Sequence, residues 1–408
     1  MQAGVAYCNA SAAFAAGYQL ARDAASNGGI SCVQLLLLFC GGNCHYQQLL
    51  AGARQFCGPN TQILGGSTVG IITTERIETT GYPAIAMALQ ATDVQFQLAL
   101  TEQLSRDPAA AGKALAMQLA NSLDPKLLLL FYDSVRYAGS AARPAVLNPS
   151  PPLLQSLSRQ LAKPAPIAGA GLLADLVFSN TKQIFQHQVT DNAAMALQFS
   201  GNLKPYIVAM HGCEPLPSES LTISRSFGQF VYELNKQPVC KVLDRIIGHQ
   251  RWREQKPVSQ YALGTSYPPV AGQPFSTPYV ARLINGVLPN DEGIILFEPD
   301  LAEGQQIQLL QRSAHSILTA TDQQTRAVLQ QIKQDGCRAV AAIYFDCAGR
   351  IHASTPEAVL LQQQLKAAAI PLLGIYTGVE IAPVGQHSRS LDWSGVLVLL
   401  CQPAPDQA

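Results

Sequence analysis

Residues 341 to 350 read AAIYFDCAGR, an apolar run that ends on a thiol, Cys347, and a guanidinium, Arg350. Residues 370 to 384, IPLLGIYTGVEIAPV, carry Tyr376 and a carboxylate, Glu380, at the corresponding place. Arginine presents a rigid fork of donors, so an arginine and a glutamate at neighbouring strand ends could clamp the two charged ends of an amino acid. The same pair could equally be an ion pair that staples two loops. Cys347 opens a different chemistry, because a cationic neighbour lowers a thiol's pKa and makes it a nucleophile. A cysteine-dependent hydrolase or transferase would also need a positioned base, and His352 is only a neighbour in sequence.

Other residues invite metal or haem chemistry. MHGCEP, residues 210 to 215, places His211 and Cys213 after the strand-like PYIVAM, where they could line a ligand or close a turn. FCGGNCHY holds Cys40, Cys44 and His45. Its cysteines are three residues apart where a c-type haem attachment has two, and no second ligand pair completes a zinc site. No metal site is therefore expected. A non-covalent b-type haem needs one axial histidine and an apolar pocket, for which His45, His187 and His211 are the candidates.

Composition limits the partners. The chain has 408 residues, 27 basic and 27 acidic, so neither nucleic acid nor an acidic lipid surface is an expected partner. The N-terminal MQAGVAYCNASAAFAAGYQLARDAA lacks the basic start and unbroken apolar core of a signal peptide. Runs such as VQLLLLF and GVLVLLC are about a third of a membrane span. Ten scattered cysteines, several within apolar runs, fit small hydrophobes in a reduced cytoplasmic protein without disulfides.

The elements that would position these residues recur along the chain. LLLLFCGG (35 to 42), a helical LLAGARQF, TQILGGSTVGIITT and PAIAMALQ have the order strand, helix, strand, strand. LLLLFYDS (127 to 134), LLQSLSRQL, APIAGAGLLADLVF and NAAMALQFS repeat it, and AAIYFDCAGR, PEAVLLQQQLKAA, IPLLGIYTGVEIAPV and WSGVLVLLC give a third copy. Apolar strands joined through a helix are expected to be parallel and buried on both faces, with ligand loops at their C-terminal ends. In such a loop Gly349 would permit a tight turn or a positive φ, and Arg350 would stand at the sheet edge. The expected fold is α/β, in two domains with mixed sheets. Residues 1–248 would hold two copies, and 249–408, after a break in HQRWREQKPVSQYALGTSYPPVAGQP, the third.

With ILGGSTVGII, MHGCEP and LTISRSFGQFVYEL in one half, and YALGTSY, LAEGQQIQLLQRS, CAGR and PLLGIYTGVEIAP in the other, the chain resembles the FIST family. It departs from the family pattern at GAGLLAD, which keeps Asp175 but has Ala174 before it, and at Thr377–Glu380, where the glycine is displaced. The resemblance implies a cytoplasmic input module of N-terminal and C-terminal sensory domains that binds an amino acid or related metabolite and acts on a signalling protein. Some stand-alone members resemble haem-based nitric oxide sensors that regulate a histidine kinase or a diguanylate cyclase. No kinase, cyclase or DNA-binding segment is recognisable in this sequence.

Overall fold

The computed structural model describes residues 1–404 apart from 42–43, 122–123, 141–142, 269–277 and 352–355. It is an α/β fold with mixed sheets, as the apolar runs lead one to expect. Leu35–Cys40 and Gln62–Ser67 are parallel neighbours joined through the helix Tyr46–Cys57. Pro125–Asp133 and Ile167–Leu172 are joined in the same way through Ser150–Gln160, and Cys337–Cys347 and Leu372–Thr377 through Pro356–Ala367.

Beside each parallel pair run two antiparallel strands. They are Pro83–Gln90 and Gln2–Asn9 in the first sheet, and Ala194–Gly201 and Val94–Thr101 in the second. In the third they are Gly395–Pro403 and Lys204–Met210. The three six-stranded sheets thus share one strand order, and each is completed by strands from elsewhere in the chain. Ile71–Ile72 and Ile77–Glu78 extend the third sheet, Gln183–Phe185 and Gln188–Thr190 the first, and Val379–Val384 and His387–Leu391 the second.

Period-two alternation explains why these strands are apolar throughout. Leu35, Leu37 and Phe39 point into a central core shared with Leu127, Leu129 and Phe131 and with Ala341, Ile343 and Phe345. Leu36 and Leu38, like Leu128 and Leu130, point the other way, under the helices. At the centre the Phe131 ring lies 5.5 Å from that of Phe39 and 5.6 Å from that of Phe345.

The strands that lie in sequence between Lys204–Met210 and the long helix Ala314–Gln334 form an inserted barrel, and Val135–Tyr137 and Val146–Leu147 form a separate two-stranded sheet. Leu221–Phe227 pairs with Phe230–Leu234, and the ring continues through Ile294–Leu296, Tyr279–Val287, Tyr261–Ser266 and Gln306–Arg312 back to Leu221–Phe227. Its interior is packed with Leu, Ile and Val around the buried Trp252. Gly248 caps the helix Val239–Ile247 and so falls between strands of this ring. No helix of the described residues is long and apolar enough to cross a membrane.

Candidate functional site

Cys347 ends its strand and leads into a single 3-10 turn, Ala348–Arg350. Gly349 has no positive φ there. Its missing side chain leaves room for Trp393, whose Nε1 would stand 2.6 Å from an added Cβ. Arg350, expected at the sheet edge, is instead fully buried. Its Nη1 donates to the carbonyl of Met210 at 2.7 Å, and its Nε lies 3.1 Å from Asp346 Oδ1 and 3.6 Å from Glu357 Oε1. Its nearest ion partners are thus Asp346, four residues back near the end of the preceding strand, and Glu357 on the following helix, rather than Glu380.

Glu380 stands where the chain leaves the third sheet to extend the second, buried beside the same cluster. Its Oε1 accepts from Thr377 Oγ1 at 2.9 Å and its Oε2 from the Ser394 amide at 3.3 Å. Burial, with Asp346 adding to it, pushes the carboxyl of Glu380 far above its ordinary range. Burial also pushes Asp346 up to about 7, against the pull of Arg350. Tyr376 is buried on the adjoining strand, its carbonyl accepting from Thr68 Oγ1 at 3.0 Å.

His211 and Cys213 reach the site from the connection between sheet and barrel. The Cys213 amide donates to His211 Nδ1 at 2.8 Å, and the imidazole also bonds to the Tyr279 backbone. Burial, with Arg350 and Arg312 nearby, pushes His211 down to about 4, so the ring is neutral. Gly212 takes φ +63°, and an added Cβ would lie 2.4 Å from Ile317 Cα at the start of the long helix, so the turn requires glycine. Burial pushes the Cys213 thiol up to about 11.

Arg350, Glu380, Cys347, Tyr376, His211 and Cys213 therefore converge on one buried polar cluster. The sequence reading missed four members, Asp346, Glu357, Arg312 and Trp393. Asp346 had a visible signal, a carboxylate inside an apolar strand. Arg312 ends a barrel strand and reaches the cluster only through the barrel's closure, with its guanidinium 4.1 Å from the Trp393 ring centroid.

The nucleophile reading of Cys347 meets a physical obstacle. Arg350 was expected to lower the thiol's pKa, yet burial, reinforced by Glu380, pushes it well above its ordinary value. His352 lies outside the described residues. Mapping by mass spectrometry near neutral pH should find exposed Cys32 alkylated by iodoacetamide long before Cys347. Prompt labelling of Cys347 would restore the nucleophile reading.

The haem candidates do not come together. His45 and His187 are exposed, one at the start of the helix Tyr46–Cys57 and the other in the turn between Phe185 and Gln188. An axial ligand needs a free ring lone pair, whereas Nδ1 of His211 already accepts from the Cys213 amide. Five surface cavities formed by the described residues are lined by none of the three. The residues present do not fit a haem. Among the described residues no group of His, Cys, Asp and Glu could hold a metal ion, and all ten cysteines are free thiols.

A second buried polar cluster fastens the barrel to the second sheet. Arg282 is paired with Asp300 through Nε at 2.6 Å and through Nη2, and its Nη1 donates to the Ser390 carbonyl at 3.0 Å. Asp392 accepts from the Leu283 amide at 2.8 Å. Glu298 accepts from Ser150 Oγ at 2.5 Å and from the Ser150 amide at 3.3 Å, at the start of the helix Ser150–Gln160. Burial, with Asp392 adding to it, pushes Glu298 up to about 8.

The chain matches the FIST N domain over residues 34–237 and the FIST C domain over residues 240–383. Together they span most of the chain, which belongs to the FIST family. FIST domains are sensory domains, and this is a sensory-domain protein. No curated protein matches it. Among solved structures it is similar to a chorismatase determined at 1.08 Å, with 10% identity over 91% of this chain and 93% of that one and a TM-score of 0.34. A likeness that distant bears on neither fold nor function.

Proposed function

We propose that this protein is a cytoplasmic input module that binds an amino-acid-like ligand in the Arg350 cluster and passes its occupancy to a signalling partner such as a histidine kinase or a diguanylate cyclase. The observation that carries this reading is the state of Arg350. It is fully buried, with Nη1 bonded to Met210 and Nε beside the Asp346 carboxylate, yet its Nη2 makes no hydrogen bond among the described residues. Buried donors without acceptors are costly, and a ligand carboxylate would satisfy them. Asp346 supplies a carboxyl group for an ammonium end, with Glu380, already accepting from Thr377 and Ser394, beside it.

The location suits a sensor. The chain enters the barrel through Met210–Cys213 and leaves it through Arg312–Ser313, and both connections run beside the cluster. A ligand that shifts Arg350 would move both supports of the barrel. The three like-ordered sheets support reading the rest as three copies of one unit, with the barrel added to the third.

Thermal denaturation with a panel of amino acids tests the reading. A ligand at a hundredfold its dissociation constant adds about 2.7 kcal/mol of stability. At least one member should raise the melting temperature of the wild type, and the rise should vanish in Arg350→Lys, which keeps the charge and loses the fork. No shift with any member, or an undiminished shift in the variant, would contradict it.

A further inference from the structure

We propose that Arg312 and Arg350 form a two-point anion site, so that the ligand is a small dicarboxylate, with acidic amino acids as its amino-acid-like members. The inference rests on the reading of the Arg350 cluster as a ligand site and adds the second anchor. Arg312 pairs in register with Cys213, while Arg350 donates to the carbonyl of Met210, so the two guanidinium groups flank one four-residue connection. Arg312 is 7% exposed, and its Nε and Nη2 make no hydrogen bond among the described residues.

The ring of Trp393 holds the plane of Arg312 from one face, as a stacked guanidinium is held when its edge serves recognition. The two carboxylates nearest the pair are unequally shared, although both also act on Arg312. Asp346 and Glu357 contact Arg350, and no ion pair to Arg312 occurs among the described residues. Glu380 is engaged by Thr377 and Ser394. Burial disfavours charge on Arg312, and repulsion from Arg350 adds to it. One carboxylate on each fork would satisfy the buried donors and relieve this repulsion.

Calorimetric titration with L-aspartate, L-asparagine and succinate tests the inference. Aspartate and asparagine are nearly isosteric and differ by one carboxylate charge. The wild type should bind aspartate at least about tenfold more tightly than asparagine, a charge-assisted hydrogen bond being worth that much. Arg312→Met should bring that ratio close to one without abolishing asparagine binding. Arg312→Lys, which keeps the buried charge if the methionine variant fails to fold, should give an intermediate ratio. Equal binding of aspartate and asparagine by the wild type, or a ratio unchanged in either variant, would overturn the second anchor and leave the Arg350 site standing. Succinate binding that depends on Arg312, with neither amino acid bound, would support the dianion site and remove the amino-acid reading. Binding of none of the three would overturn the dianion site, and the amino-acid panel then decides the Arg350 reading separately.

Discussion

Arg350→Met is expected to lower the free energy of unfolding by about 3 to 5 kcal/mol, the usual cost of leaving a buried charge without its partner. The variant loses the hydrogen bond to Met210 and strands Asp346 and Glu357 in a fully enclosed site. Without the guanidinium, Asp346 should take up a proton even more readily than its value of about 7 implies, so the deficit should be smaller at pH 5.5 than at pH 8. Adding Asp346→Asn should recover part of the loss, because removing both charges is cheaper than removing one. Denaturant titration of the single and double variants checks this. A single variant as stable as the wild type would mean that Arg350 holds nothing together.

The second large effect is on pH dependence. Burial pushes Glu298 up to about 8 from an ordinary 4.5, so across that window the folded protein holds a proton that the unfolded chain releases. Stability must then fall as pH rises through it. Glu380, pushed far above its ordinary range, acts with the same sign, as do Asp346, up to about 7, and Asp392, up to about 6, over windows that end lower. His211 opposes them, since its pKa falls from 6.5 to about 4 and costs stability only as pH drops below 6.5. Between pH 6.5 and 8 the carboxyls act alone, and stability should rise by on the order of 2 kcal/mol as pH is lowered across that range. Glu298→Gln should flatten the slope. Stability that is level or increasing between pH 6.5 and 8 in the wild type would contradict this.

Local pattern made much of the fold readable. Continuous apolar runs such as LLLLF mark strands buried on both faces, and Leu35–Cys40 and Cys337–Cys347 are such strands. The barrel was not readable as a unit. Its short strands lie on both sides of residue 248, and Leu221–Phe227 reaches Gln306–Arg312 only by ring closure, a pairing with no local trace.

The site divides in the same way. Arg350 and Glu380 stood out because charge at the end of an apolar strand is conspicuous. Arg312 did not, because its role depends on Trp393, far along the chain and brought under the guanidinium by the third sheet. Gly349 was read as a source of backbone freedom, when what matters there is space for an indole.

The most direct measurement is amide hydrogen exchange on the full chain, with and without saturating L-aspartate. A ligand held by Arg350 and Arg312 should slow exchange in the two connections that carry the barrel, residues 210–213 and 312–314, and in the turn 348–350. In Arg350→Lys, L-aspartate should leave the exchange rates of those segments unchanged. Saturated binding that protects only residues elsewhere, with these three segments unchanged, would place the ligand outside the cluster and contradict the proposal that this site is the sensor.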